Sequence, residues 1–144
     1  MGIPKEGLSK KREKIHYSVG AVIEKNGKYL LIDRVNPPFG FAGLAGHVDE
    51  GETEVEALDR EVKEESGVEV KNYSLLFEEE LGWNTCSKGI SVHYWYLFKC
   101  EVLGEIKIDE KEAKSIGWYT VEQIKDLKLE PVWEYWFRKL KIIA

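Results

Sequence analysis

The stretch from Ile90 to Val102 does most to narrow what this chain can fold into. Val92, Tyr94, Tyr96, Phe98, Cys100 and Val102 alternate with Ser91, His93, Trp95, Leu97, Lys99 and Glu101. A period of two is that of a strand, and both alternating sets contain apolar side chains. Such a strand belongs inside a sheet that is covered on both faces. With the helices read below, a mixed β-sheet with helices on its faces is the natural architecture, an α/β fold of the α+β type.

The rest of the chain supplies partners for that strand. Tyr17 to Ile23 reads as a strand and Tyr29 to Ile32 as another, with Asn26-Gly27 between them. Asn-Gly is a strong hairpin signal because both turn positions need positive φ. Residues 36–40, Asn-Pro-Pro-Phe-Gly, form a loop by composition. Val68 opens an extended stretch that continues to about Leu81, and Ser115 to Tyr119 is a short strand. Thr120 with Gln123 is a capping box for a short helix to about Leu127. Pro131 suits the first turn of a last helix, with Trp133, Trp136, Phe137 and Leu140 as its apolar stripe. That stripe is expected to pack mostly on the chain's own sheet, so monomer and homodimer both stay open.

A chain of 144 residues fits one domain. At 43% hydrophobic it is not a disordered chain. The first 14 residues are polar and charged, and are expected to be a flexible N-terminal arm before a single domain spanning 15–144. No apolar run follows those charges as a signal peptide would require, and none is long enough for a membrane helix. A cytoplasmic location is expected, with Cys86 and Cys100 as two free thiols. The net charge of −5 argues against a nucleic-acid polymer as partner. It leaves room for a small anionic substrate, because metal ions can supply positive charge.

The chemistry is concentrated between Gly46 and Val68. Thr53 to Ser66 reads as a helix: Thr53 and Glu56 make a capping box, Val55, Leu58 and Val62 share one face, and Gly67 is placed to end it. Glu61 and Glu65 lie one turn apart, with Glu64 on the flank of Glu61. Like charges at that spacing destabilise a helix by about 0.2–0.5 kcal/mol per pair. They also sit in its second half, where the dipole disfavours anions. A sequence shaped for stability alone would place lysines there. Oxygen-rich carboxylate clusters suit hard divalent cations, Mg²⁺ or Mn²⁺.

The full pattern is Gly46, five residues, Glu52, seven residues, Arg60-Glu61, an aliphatic residue, any residue, Glu64-Glu65, any residue, Gly67 and an aliphatic residue. It resembles the signature of the Nudix hydrolase family at all nine specified positions. The flanking strand order and the C-terminal helix also resemble the family's α/β/α sandwich. The resemblance implies divalent-metal-dependent hydrolysis of a nucleoside diphosphate linked to another group. The cofactor would be Mg²⁺ or Mn²⁺ and the partner a small nucleotide. Matched residue by residue, it makes Glu61, Glu64 and Glu65 metal-binding carboxylates, the Gly46 carbonyl a further ligand, and Glu61 or Glu64 the general base. Glu52 and Arg60 match a bracing pair with a structural role. The later carboxylate that the family often adds is closest to Glu112, with Glu110 and Glu80 as competitors. Arg34 resembles a phosphate contact.

The sequence departs from the family at several points. Leu44 and Ala45 stand where members often carry Pro-Gly, and Phe41 where Trp is common. No SQPWPFP-type run for NADH is present. Trp83-Asn84-Thr85 stands where other subfamilies place a proline or a tyrosine, and Trp83 is a candidate base-stacking residue. His16, His47 and His93 read as ordinary sheet or loop residues. The rival to an enzyme is a Nudix-fold sensor or interaction module that binds a nucleotide without cleaving it.

Overall fold

The computed structural model describes residues 2–83 and 89–144; Asn84, Thr85 and Cys86 lie outside them. The chain runs β1 (Glu6–Leu8), β2 (Lys14–Lys25), β3 (Lys28–Arg34), β4 (Phe41–Ala42), β5 (Leu44–His47), α1 (Glu54–Ser66), β6 (Glu69–Leu81), β7 (Val92–Leu103), β8 (Ala113–Thr120), α2 (Val121–Lys125) and α3 (Pro131–Lys139). The main path of the sheet is β4-β3-β2-β7-β6, with β1 and β5 on β2 and β8 on β3. β2 and β7 are parallel from the Ile15–Val92 pair to the Ile23–Cys100 pair. The hairpin between β2 and β3 is antiparallel, so the sheet is mixed. Asn26 and Gly27 turn that hairpin at φ of 53° and 77°.

β7 lies between β2 and β6, and its two-sided pattern finds a cover on each face. Phe98 and Cys100 pack with Val19, Ala21, Leu58 and Val62 beneath α1. Trp95 and Leu97 pack with Trp133, Trp136 and Phe137 of α3. Those three aromatic side chains are almost fully buried against the chain's own sheet. Burying an apolar side chain of this kind contributes about 1.5–3 kcal/mol. Cys100 sits in the α1 layer as a small apolar group, and burial pushes its thiol up to about 12.

The helix ends form where the sequence marks them. Thr53 caps α1, its hydroxyl accepting from the Glu56 amide while the Glu56 carboxylate accepts from the Thr53 amide. Gly67 closes the helix in the left-handed region at φ 76°. Thr120 and Gln123 repeat the box on α2.

The N-terminal segment differs from the expected loose arm. Glu6 to Leu8 pairs with Lys14 to His16, along the length of β2 that β5 leaves uncovered. Lys5 N–H donates to the Val48 carbonyl, and Glu50 N–H to that of Ile3. An unpaired β2 edge would leave backbone donors and acceptors unmet, and a polar strand can cover it as well as an apolar one.

Candidate active site

α1 lies across β5, and Glu61 and Glu65 are aimed at that strand. Ala45 N–H donates to Glu65 Oε1 at 2.8 Å. Leu44 and Ala45, which stand where Pro-Gly is common, lie in the regular strand β5, and Leu44 joins the core. Gly46 has no side chain for a reason visible here. A Cβ on Gly46 would fall inside the carboxyl group of Glu61.

Arg60 ties the preceding loop to the helix. Its Nε and Nη2 donate to the two Glu52 oxygens at 2.8 and 3.0 Å, a bidentate pair. Nη2 also donates to the His47 carbonyl at 2.9 Å. Nη1 reaches Glu61 Oε1 at 2.8 Å and Glu64 Oε2 at 3.3 Å. The fork holds Glu52 below the usual carboxylate range and raises the guanidinium further. Asp49, 3.2 Å from Arg60 Nη2, joins the network, and no signature position marked it.

The glutamates differ in environment. Burial pushes Glu61 up to about 7, against the pull of Arg60. Burial raises Glu65 well above the ordinary value, and the nearby charge of Glu61 adds to that rise. Glu64 is more than half exposed, at 56% of its side chain.

These residues border one cavity of about 620 Å³. Gly46, Glu61, Glu64, Glu65, Glu112 and Arg34 all line it. Glu110 and Glu80, the competitors of Glu112, do not. Trp83 does not line it either: it is half-exposed, with its ring 5.6 Å from that of Tyr135 on α3. The stacking role expected of Trp83 finds no place at this cavity. Sequence reasoning missed Asp109 and Glu130 in the lining. Glu130 is buried just before Pro131, with its carboxylate 3.9 Å from Arg34 Nε. Burial pushes it up to about 7.

The donor set fits a hard divalent cation. Every donor in it is an oxygen, and two of the carboxylates are buried where their charge is costly without a cation. The three carboxylates share one cavity wall. A different group does meet closely. Among the described residues, His16 of β2, His47 of β5 and His93 of β7 are sheet residues, as read from the sequence, and they bring ring nitrogens within 4.8 Å of one another.

The model of the NUDIX domain family matches residues 14–140, and the chain belongs to that family. It is 47% identical over 78 residues to the ADP-ribose pyrophosphatase of Methanocaldococcus jannaschii, covering 51% of this chain and 46% of that protein. It is 34% identical over 111 residues to the human NAD-capped RNA hydrolase NUDT12, covering 74% of this chain and 22% of that one. The chain thus spans less than half the length of these two relatives. Among solved structures, a MutT protein from Bacillus halodurans superposes with a TM-score of 0.70 at 22% identity, over 89% of this chain and 82% of the other. The NUDIX domain of Shewanella oneidensis NrtR, complexed with ADP-ribose, gives 0.70 at 19% identity, over 87% and 85%. At those identities the likeness is one of fold.

Proposed function

We propose that this chain is a divalent-metal-dependent pyrophosphohydrolase acting on a nucleoside diphosphate linked to another group. The observation that carries the reading is that Glu61, Glu64 and Glu65 of α1 line one cavity, with Glu61 and Glu65 against β5 and Gly46 beneath the Glu61 carboxyl. The pyrophosphatase and hydrolase names of the relatives support the same reaction class.

Glu61, Glu64 and Glu65, with the Gly46 carbonyl and Glu112, would hold Mg²⁺ or Mn²⁺. Such an ion neutralises phosphate charge and lowers the pKa of a bound water. The protein's own groups do the rest. Glu61 or Glu64 accepts the proton of the attacking water. Arg34, whose Nε donates to the Pro38 carbonyl at 2.9 Å, is held at the cavity wall to meet a phosphate. Arg60 and Glu52 keep the loop from His47 to Glu52 in register with α1, so that the glutamates and the Gly46 backbone stay a fixed distance apart.

The test is a substrate panel of nucleoside triphosphates, ADP-ribose, dinucleoside polyphosphates and NADH, each with Mg²⁺ and with Mn²⁺. Turnover of a nucleotide-linked diphosphate supports the proposal. Saturable binding of such a nucleotide with no turnover under either metal would replace it with the sensor reading.

A further inference from the structure

We propose that His16, His47 and His93 form a second metal site, which binds one transition-metal ion of the Zn²⁺ type and is separate from the α1 carboxylates. The strand register builds it. His16 of β2 is the cross-strand partner of His93 on β7. His47 of β5 is the partner of Ser18, two residues on from His16. A period of two puts His16 and Ser18 on one face, so three adjacent strands deliver three imidazoles to the same side of the sheet. Val22 and Trp95 identify that side as the α3 layer. Gly46, beneath Glu61, pairs with Val19 and faces the α1 layer instead.

The distances suit one shared ion. Ring centroids are 5.0 Å apart for His16 and His47, 5.8 Å for His47 and His93, and 6.2 Å for His16 and His93. One ring nitrogen from each lies within 4.8 Å of the others. Tetrahedral zinc with nitrogens at about 2.0–2.1 Å needs them roughly 3.4 Å apart, so small side-chain adjustments close the site. His16 and His93 are buried, at 3% and 1% exposure.

A carboxylate fixes the tautomer of one ring. His16 Nε2 lies 3.3 Å from Glu6 Oε2. The carboxylate can only accept, so Nε2–H donates and Nδ1 keeps its lone pair. That Nδ1 is buried and has no hydrogen-bond partner among the described residues. A carboxylate behind a ligating histidine is the usual outer support of such sites, and here β1 supplies it. Imidazole selects zinc, cobalt, nickel and copper over Mg²⁺, so the two sites differ in the ion they choose. Three protein nitrogens leave a fourth position for water or a substrate oxygen. His47 and His93 line the same cavity as the glutamates, so an ion held there adds a fixed positive charge to its wall.

The test uses the full chain, stripped with a chelator and then supplied with excess Mg²⁺ to occupy the carboxylates. Titration with Co²⁺ should give the strong visible absorption of a four-coordinate nitrogen site, and dialysis against Zn²⁺ should leave one zinc per chain. His47→Gln, at the half-exposed member, should weaken Co²⁺ affinity at least tenfold, and Glu64→Gln should leave it unchanged. Imidazole ¹⁵N spectra of the wild type need no variant, and should show zinc-dependent shifts of all three rings. The proposal is overturned if no zinc is retained, if His47→Gln binds like the wild type, if Glu64→Gln abolishes binding, or if the ring shifts do not move.

Discussion

Replacing Gly46 with alanine separates the geometry of the site from the stability of the fold. The backbone at 46 needs no left-handed angle, so alanine is locally acceptable. The new methyl group, however, would occupy the space of the Glu61 carboxyl. Non-bonded carbons keep about 3.5–4.0 Å apart, so the carboxyl must retreat by more than about 1 Å. The obstacle is the end of a flexible side chain, and moving it loosens the 2.8 Å contact with Arg60 while leaving the core untouched. A displacement of that size at a reacting centre costs about a hundredfold in rate. We therefore expect Gly46→Ala to lose about a hundredfold in kcat/KM while its melting temperature stays near that of the wild type. Glu61→Asp shortens the side chain by one methylene, so the double variant should lose less than the product of the two single losses. The assay is initial-rate hydrolysis of the best panel substrate beside a thermal melt. A Gly46→Ala protein with full activity, or one that no longer folds, would refute the reasoning.

Further outcomes follow from the same structure. Arg60→Ala removes the fork from Glu52 and its contacts to Asp49 and Glu61. It should destabilise by about 3 kcal/mol in denaturant titration, and Arg60→Lys should recover little because an ammonium cannot span two oxygens. Trp136→Ala should cost about 3–5 kcal/mol in the same measurement, since the ring is enclosed between β6, β7 and α3. Glu130 has its folded value raised from 4.5 to about 7, so its stabilising contribution is complete below pH 4.5 and is lost as pH rises through 7. Glu130→Gln should therefore raise the melting temperature at pH 8, by the equivalent of roughly 3 kcal/mol, and the gain should vanish near pH 4. Mg²⁺ should raise the melting temperature of the wild type where NaCl of equal ionic strength does not; a metal at a hundred times its Kd adds about 2.7 kcal/mol.

Local signals carried most of the architecture. The capping box at Thr53, the closing Gly67 and the Asn26-Gly27 turn are each written in a few adjacent residues, and each formed as its chemistry requires. The two-sided pattern of β7 revealed its interior place because period-two burial is visible along one strand. What could not be read depends on register between distant strands. Nothing in the sequence shows that His16, His47 and His93 fall side by side, because that follows from the pairing of β2 with β5 and with β7. Glu130 precedes a helix by one residue, and only the fold turns it towards Arg34. The N-terminal segment looked like solvent-facing arm because its side chains are polar, whereas its order comes from backbone hydrogen bonds that composition does not register.

The most direct test of the central claim is hydrolysis of the best panel substrate by three samples: wild type with Mg²⁺, wild type with excess EDTA, and Glu64→Gln with Mg²⁺. Glu64 is exposed and outside the core, so circular dichroism and the metal-free melting of the variant should match the wild type. The account predicts turnover in the first sample alone, with the variant down at least about a hundredfold. Turnover that survives both EDTA and Glu64→Gln would contradict a metal-dependent site built on the α1 carboxylates.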